Sequence, residues 1–120
     1  MNLLDTFKDW EDTVELPRGE VMFRELDEAD YMYVLLEGEV EVTLRGEPLG
    51  AELAGGLIGE MAMINSSSRS ATATVLSDVK AARITREQFR SIIQENPDFA
   101  LHIMNVMANR LRVADQLIVG

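Results

Sequence analysis

The sequence contains no cysteine, and that one absence removes disulfide frameworks, thiolate zinc sites and cysteine nucleophiles together. It agrees with a reducing, cytoplasmic setting. Histidine occurs once, as His102, so a metal centre would have to be built almost wholly from carboxylates and a Ser-His-Asp triad could draw on a single imidazole. No catalytic residue and no metal ligand is assigned. The amino terminus, Met1 to Trp10, carries Asp5, Lys8 and Asp9 and lacks the basic start and apolar core of a secretory signal, so it is expected to stay in the mature protein. No uncharged stretch exceeds about eleven residues, short of the roughly 20 that cross a bilayer, and a soluble protein without membrane contact is expected.

Basic residues are scarce as well. Lys and Arg number 11 against 21 Asp and Glu, a formal charge of -10, and the imbalance is uneven: residues 1–60 hold 16 acids and 4 bases, residues 61–120 hold 5 and 7. Nucleic-acid binders replace phosphate counterions with clustered Lys or Arg, and no such cluster exists here. Direct DNA binding is not expected, and the acidic face reads as a solvated surface. What is present is ordinary for one globular domain: 120 residues, 47% apolar and 27% charged. A single domain over 1–120 is expected, with a roll over about 12–84 and C-terminal helices over about 85–118.

Before residue 85 the pattern is that of strands. Tyr31 to Leu36 and Glu39 to Leu44 flank Glu37-Gly38, which predicts a tight hairpin with glycine supplying the positive backbone angle. In the second of these strands Val40, Val42 and Leu44 alternate with Glu39, Glu41 and Thr43, as a half-buried strand does. Further strands are predicted at Thr13 to Leu16, Glu20 to Arg24, Pro48 to Leu53, Ser70 to Leu76 and Val79 to Ile84. Short strands so spaced suggest a barrel or jelly roll.

Two helices follow. Thr85 with Gln88 forms a capping-box pattern ahead of Phe89, Ile92 and Ile93, and Asn96-Pro97-Asp98 supplies a cap, a first-turn proline and a first-turn acid for a longer helix to about Ile118. That last helix carries two adjacent apolar seams, Ala100, Met104, Met107, Leu111, Ala114 and Ile118 on one and Ile103, Val106, Val113 and Leu117 on the other. So wide an apolar arc predicts burial on two sides, with a homodimer or a regulated protein as the second partner. His102, early in this helix, reads as a partly buried structural residue, and the seven methionines read as filling for an irregular core.

Residues 61–77 hold one charge among seventeen residues, Arg69. Before them, Gly55-Gly56-Leu57-Ile58-Gly59-Glu60 leads into a short apolar helical stretch from Glu60 to Ile64. Glycines followed by a helix start present backbone N–H groups to an anion, and an arginine adds a forked donor. Residue chemistry alone points to one small anion, and leaves open an ordinary turn beside a surface arginine.

The order Ile58-Gly59-Glu60-Met61-Ala62-Met63-Ile64, four loop residues, then Arg69-Ser70-Ala71-Thr72 resembles the phosphate-binding cassette of the cyclic nucleotide-binding domain family. The resemblance extends to Gly19 through Glu25, to Met32 through Val40 and to Ala108 through Arg112. It implies an eight-stranded antiparallel jelly roll with flanking helices, mainly β in an α+β arrangement, and no enzymatic activity. It also implies site residues: Gly59, Glu60, Met61, Ala62, Arg69, Ser70, Ala71 and Thr72. By resemblance Arg69 pairs with the exocyclic phosphate oxygens, Glu60 accepts from the ribose 2′-hydroxyl, and backbone N–H groups near Gly59 to Met61 and Ala71 complete the cradle.

Three positions depart from the family pattern. Leu26 stands in the Glu-Gly-Asp turn where glycine is usual, Ala29 replaces the glycine before Asp30, and Ser68 replaces a proline, leaving the empty loop freer. The first two concern a turn remote in sequence from the cassette and put that turn's shape in doubt more than ligand contact.

The expectation is a cyclic nucleotide sensor or regulatory module, with cyclic AMP favoured over cyclic GMP, that signals through its C-terminal helix and needs no cofactor beyond that ligand. In DNA-binding relatives a helix-turn-helix follows this region, and no reader of DNA is expected here. The other reading is a jelly-roll interaction or dimerisation domain whose pocket is empty or takes a different small anion. A cupin-type enzyme is disfavoured, since it needs several histidines on a divalent metal.

Overall fold

The computed structural model of the chain describes residues 1–64 and 68–119, with the side chains of 111 and 113–119 outside the description. Two compact units make up the chain, residues 2–86 and the residues from Glu87 onward together with Met1. The first is an antiparallel roll entered through a short helix, α1 (Leu3–Phe7), and containing β1 (Thr13–Leu16), β2 (Val21–Phe23), β3 (Tyr31–Leu44), β4 (Glu47–Glu52), β5 (Leu57–Ile58), a 3-10 helix (Glu60–Met63) and β6 (Thr72–Thr85). The sheet runs β1-β6-β3-β4, with β2 also on β6 and β5 also on β3. The architecture is the mainly β roll with helices that the sequence predicts.

The strand count differs for a physical reason. Glu37-Gly38 does not turn the chain: β3 continues through it for 14 residues, and β6 likewise joins the segments predicted as Ser70 to Leu76 and Val79 to Ile84. Each long strand serves as two of the eight expected. Between Leu35 and Val40 the β3–β6 register slips three times, so the positive φ of Gly38 (91°) belongs to a bulged bend. A Cβ at Gly38 would stand on the Asp78 carbonyl oxygen and 2.9 Å from Val79 Cγ2, so the two strands close here only over a glycine. The tight hairpin lies one segment later, at Arg45-Gly46 between β3 and β4, where both residues have positive φ (53° and 83°) as a type I′ turn demands.

Inside the roll, Leu35, Val40, Ile58, Ala73, Val75, Val79 and Ala81 form one buried cluster, with Phe23 and Tyr33 packed at its margin. Neighbouring residues Val34 and Ala82 are buried too, which places β3 and β6 under cover on both faces along this stretch. Helix α1 lies against β3. The segment after it is pinned to β6: Trp10 Nε1 donates to the Arg83 carbonyl (2.9 Å), and Asp12 takes a two-pronged contact from Arg83 Nε and Nη2 (3.1 Å each). That carboxylate raises the Arg83 pKa.

Helix α2 (Arg86–Glu95) begins directly after Thr85, and α3 (Pro97–Val119) directly after Asn96, both where the capping signals place them. Phe89 and Phe99 meet edge to face with centroids 5.8 Å apart. Along α3, Phe99 and Ile103 are buried whereas Leu101 and Met104 are 60% and 55% exposed. His102 is half-buried, and burial lowers its pKa. Of the two seams, the side chains of Leu111, Val113, Ala114, Leu117 and Ile118 lie outside the described residues. Among the described residues no helix is long and apolar enough to cross a membrane.

Candidate functional site

Arg69 is the centre of the site. It is 5% exposed, in a protein whose other bases lie on or near the surface, and among the described residues no carboxylate stands within ion-pair distance of it. Its guanidinium is held by neutral groups instead. Nη2 donates to the Tyr31 carbonyl (2.7 Å), Nη1 makes a long contact to the Gly59 carbonyl (3.4 Å), and Cζ sits 4.1 Å above the centroid of the Phe23 ring. The third donor, Nε, is buried without any hydrogen-bond partner. Taking a cation out of water with one donor unsatisfied is costly, and the guanidinium's pKa is lowered by burial, opposed by Tyr33, Asp30 and Asp27. Such a group is poised to receive an anion.

The elements that bring Arg69 here come from distant parts of the chain. β5 ends at Ile58, Gly59 turns with φ 76°, and the 3-10 helix starts at Glu60, so the chain doubles back beside the guanidinium. A Cβ on Gly59 would stand on Arg69 Nη1 and 3.6 Å from Phe23 Cε2; only glycine leaves the arginine its place. Glu60 is 2% exposed, a buried acid in the first helical turn. The first N–H groups of such a turn have no intrahelical partner, which suits them to an acceptor.

On the far side of Arg69, a turn at Arg24–Asp27 holds its backbone. Leu26 N–H donates to the Arg69 carbonyl (2.9 Å), and Arg69 N–H donates to the Asp27 carbonyl (2.8 Å). The turn closes with Asp27 N–H to the Arg24 carbonyl (3.1 Å) and with Arg24 N–H to Asp27 Oδ2 (2.9 Å). Leu26 has φ 73°, the value that position i+2 of a type II turn requires and that glycine adopts without cost. The turn whose missing glycine was expected to matter little for the site therefore grips the site's arginine directly. Separation along the sequence concealed a contact in space.

Of the predicted site residues, Gly59 and Arg69 meet, Glu60 and Ala62 are buried in the 3-10 helix that follows Gly59, Met61 and Ser70 are exposed, and Ala71 is half-buried. Thr72 has a different engagement: its Oγ1 accepts from Glu25 N–H (3.1 Å), tying β6 to the turn. Residues 65–67 of the loop lie outside the described residues. Three contributors were not singled out as site residues in the sequence. Phe23 and the Tyr31 carbonyl support the guanidinium, and Arg86 donates from Nε to the Ala62 carbonyl (3.0 Å) and from Nη2 to the Ala29 carbonyl (2.6 Å), stapling the 3-10 helix to the segment after the turn. Only the run Gly19 to Glu25 carried any signal for them. Among the described residues no cluster of His, Cys, Asp or Glu could hold a metal ion.

Comparison with known proteins gives the family and the fold. A cAMP-activated global transcriptional regulator of the CRP-like type from Mycobacterium tuberculosis is 30% identical over 105 residues, covering 82% of this chain and 46% of that protein. The crystal structure of Thermus thermophilus catabolite activator protein superposes with a TM-score of 0.82 at 27% identity, covering 96% of this chain and 56% of the other. The EAL enzyme Bd1971 superposes in a cAMP-bound form (TM-score 0.65, 29% identity, 89% and 30% coverage) and in a cGMP-bound form (0.65, 30%, 84% and 28%). The chain spans about half the length of the mycobacterial relative. The family model for the cyclic nucleotide-binding domain matches residues 13–96, from the first strand of the roll through the buried glutamate and arginine to the end of α2, and the chain belongs to that family.

Proposed function

We propose that the chain acts as one non-enzymatic module that binds a 3′,5′-cyclic nucleotide, cyclic AMP in preference to cyclic GMP, and passes the event on through its C-terminal helix. The observation that carries this reading is the buried Arg69 guanidinium, held by two carbonyls and a ring, lacking a carboxylate partner and keeping Nε unpaired. A cyclic phosphate supplies one negative charge and two exocyclic oxygens, which matches a forked cation with a donor to spare. Glu60, an acceptor-only group when ionised, suits a ribose hydroxyl, and the N–H groups at the start of the 3-10 helix suit the remaining phosphate oxygen. Thr72, whose Oγ1 accepts from the Glu25 N–H, keeps its own hydroxyl proton to donate to the ligand.

The preference for adenine rests on the cAMP-activated relative, while Ser70, exposed next to Arg69, carries a hydroxyl that suits either phosphate or guanine. Signalling through α3, by a second copy or by a regulated protein, is supported by the exposure of Leu101 and Met104. The acidity of the chain argues against DNA as its own direct partner, and its lack of cysteine agrees with a cytoplasmic setting. Calorimetric titration of the full chain with cyclic AMP, cyclic GMP and 5′-AMP tests the reading. Tighter binding of a cyclic nucleotide than of 5′-AMP is expected; equal or absent binding of all three at millimolar concentration refutes it.

A further inference from the structure

We propose that Phe23 is a positioning residue for the anion-binding arginine: its ring carries the flat face of the Arg69 guanidinium, leaving the edge, with Nε, for a ligand's phosphate. The inference rests on the cyclic nucleotide reading and adds a determinant of affinity to it.

A buried guanidinium needs partners both at its edge and on its faces. Its donors all lie in one plane, so hydrogen bonds engage the edge and leave both faces bare. In water those faces are weakly hydrated, and in a protein they stack on aromatic rings, whose negative quadrupole stands in part for a counter-ion. Here no carboxylate pairs with Arg69, and two edge nitrogens rest on the Tyr31 and Gly59 carbonyls. The 4.1 Å approach of Cζ to the Phe23 centroid supplies the third point that fixes a plane in space. The ring is itself held: Tyr33 stacks on it with centroids 6.3 Å apart and 21° between planes, and Tyr33 stands 5.9 Å from the same Cζ.

β2 is shaped for this. Val21 pairs with Thr74 and Phe23 with Ala73, so Met22 is an extra residue opposite none, and a bulge of this kind re-aims the side chain that follows it. The Phe23 ring thus reaches both the arginine and Gly59, at the point where the chain turns into the 3-10 helix. Because the ring takes the face and the phosphate takes the edge, both contacts hold at once. Phe23 therefore contributes to ligand affinity without touching the ligand.

The test replaces Phe23 in the full chain by phenylalanines carrying one, two and three ring fluorines, which keep the ring's shape while draining its negative face, and measures cyclic AMP binding by calorimetry beside thermal melting. Affinity is expected to fall stepwise with fluorination, reaching a loss of about three- to thirty-fold for the trifluoro ring, with unchanged melting. Phe23→Tyr should keep near-native affinity and Phe23→Leu should lose at least as much as the trifluoro ring. A purely structural role for Phe23 predicts a flat series, because every fluorinated ring packs alike; a flat series with native binding intact overturns the proposal and spares the ligand reading. Failure of the unmodified protein to bind either cyclic nucleotide overturns both.

Discussion

The Leu26 amide donates to the Arg69 carbonyl over 2.9 Å, and the Arg69 amide donates back to the Asp27 carbonyl over 2.8 Å, so the arginine that faces the site is gripped on both sides of its own residue by one strained turn. A non-glycine residue in the left-handed region costs about 1–2 kcal/mol, partly recovered in the unfolded chain because glycine loses more freedom on folding. Leu26 is 83% exposed and contributes little by burial. Leu26→Gly should therefore stabilise the protein by about 0.5–1 kcal/mol, and Leu26→Val, with its branched Cβ at φ 73°, should destabilise it by about 1 kcal/mol. Urea denaturation reads both signs; a destabilised glycine variant would show that the turn is not strained.

Gly59 separates affinity from stability differently. A methyl group there meets Arg69 Nη1, and φ 76° is unfavourable for alanine, so Gly59→Ala should cost about 1–2 kcal/mol of stability and push the guanidinium out of its place. Binding of cyclic AMP should weaken at least tenfold, on the scale of losing much of one buried charge contact. Calorimetry of a variant confirmed as folded by circular dichroism is the check, and native affinity in it would mean that Arg69 does not need this position to bind.

The contrast between Glu37-Gly38 and Arg45-Gly46 shows what a sequence conveys. Both pairs display a glycine between alternating strands, and a positive φ serves a bulge as well as a hairpin; the difference lies in β6, which runs beside Gly38 and offers the Asp78 carbonyl where a side chain would go. Helix starts after Thr85 and Asn96 were legible because caps act locally. Glu60 and Arg69 stood out as candidates because glycine turns, a helix start and a lone cation lie close along the chain, and both are buried in the structure. Phe23, the Tyr31 carbonyl and the Leu26 turn were not, since each reaches Arg69 only through the antiparallel pairing of strands far apart in sequence.

Arg86 tests whether the cassette is held from behind. Its two donations, to Ala62 and Ala29, are hydrogen bonds from a charged group to carbonyls, each worth about 1.5–3 kcal/mol when buried and less at the partial exposure seen here. Arg86→Ala should destabilise the protein by about 1–2 kcal/mol, and Arg86→Lys should recover less than half, because one ammonium cannot span two carbonyls as a fork does. Thermal unfolding of the three proteins at matched salt decides it; full recovery by lysine would reduce the role of Arg86 to charge alone.

The sharpest consequence concerns Arg69 without ligand. Breaking a buried ion pair by removing one partner costs about 3–5 kcal/mol, because the other charge is left uncompensated. Arg69 leaves no such orphan: its partners are the Tyr31 and Gly59 carbonyls and an aromatic ring, and its own Nε is already unsatisfied. Arg69→Met keeps much of the stem's volume, removes a desolvated cation and gives up two hydrogen bonds to neutral acceptors. The unfolding free energy of the ligand-free protein should then change by less than about 2 kcal/mol, because the two lost hydrogen bonds are offset by relief of a desolvated cation. Affinity for cyclic AMP should fall by roughly thirty-fold to several thousand-fold, the loss of about 2–5 kcal/mol expected when one member of a buried charge pair is removed from a complex. The two measurements together separate a binding arginine from a structural one. A variant destabilised by 3 kcal/mol or more would place Arg69 among the residues that hold the roll together, and unchanged affinity would remove it from the ligand site.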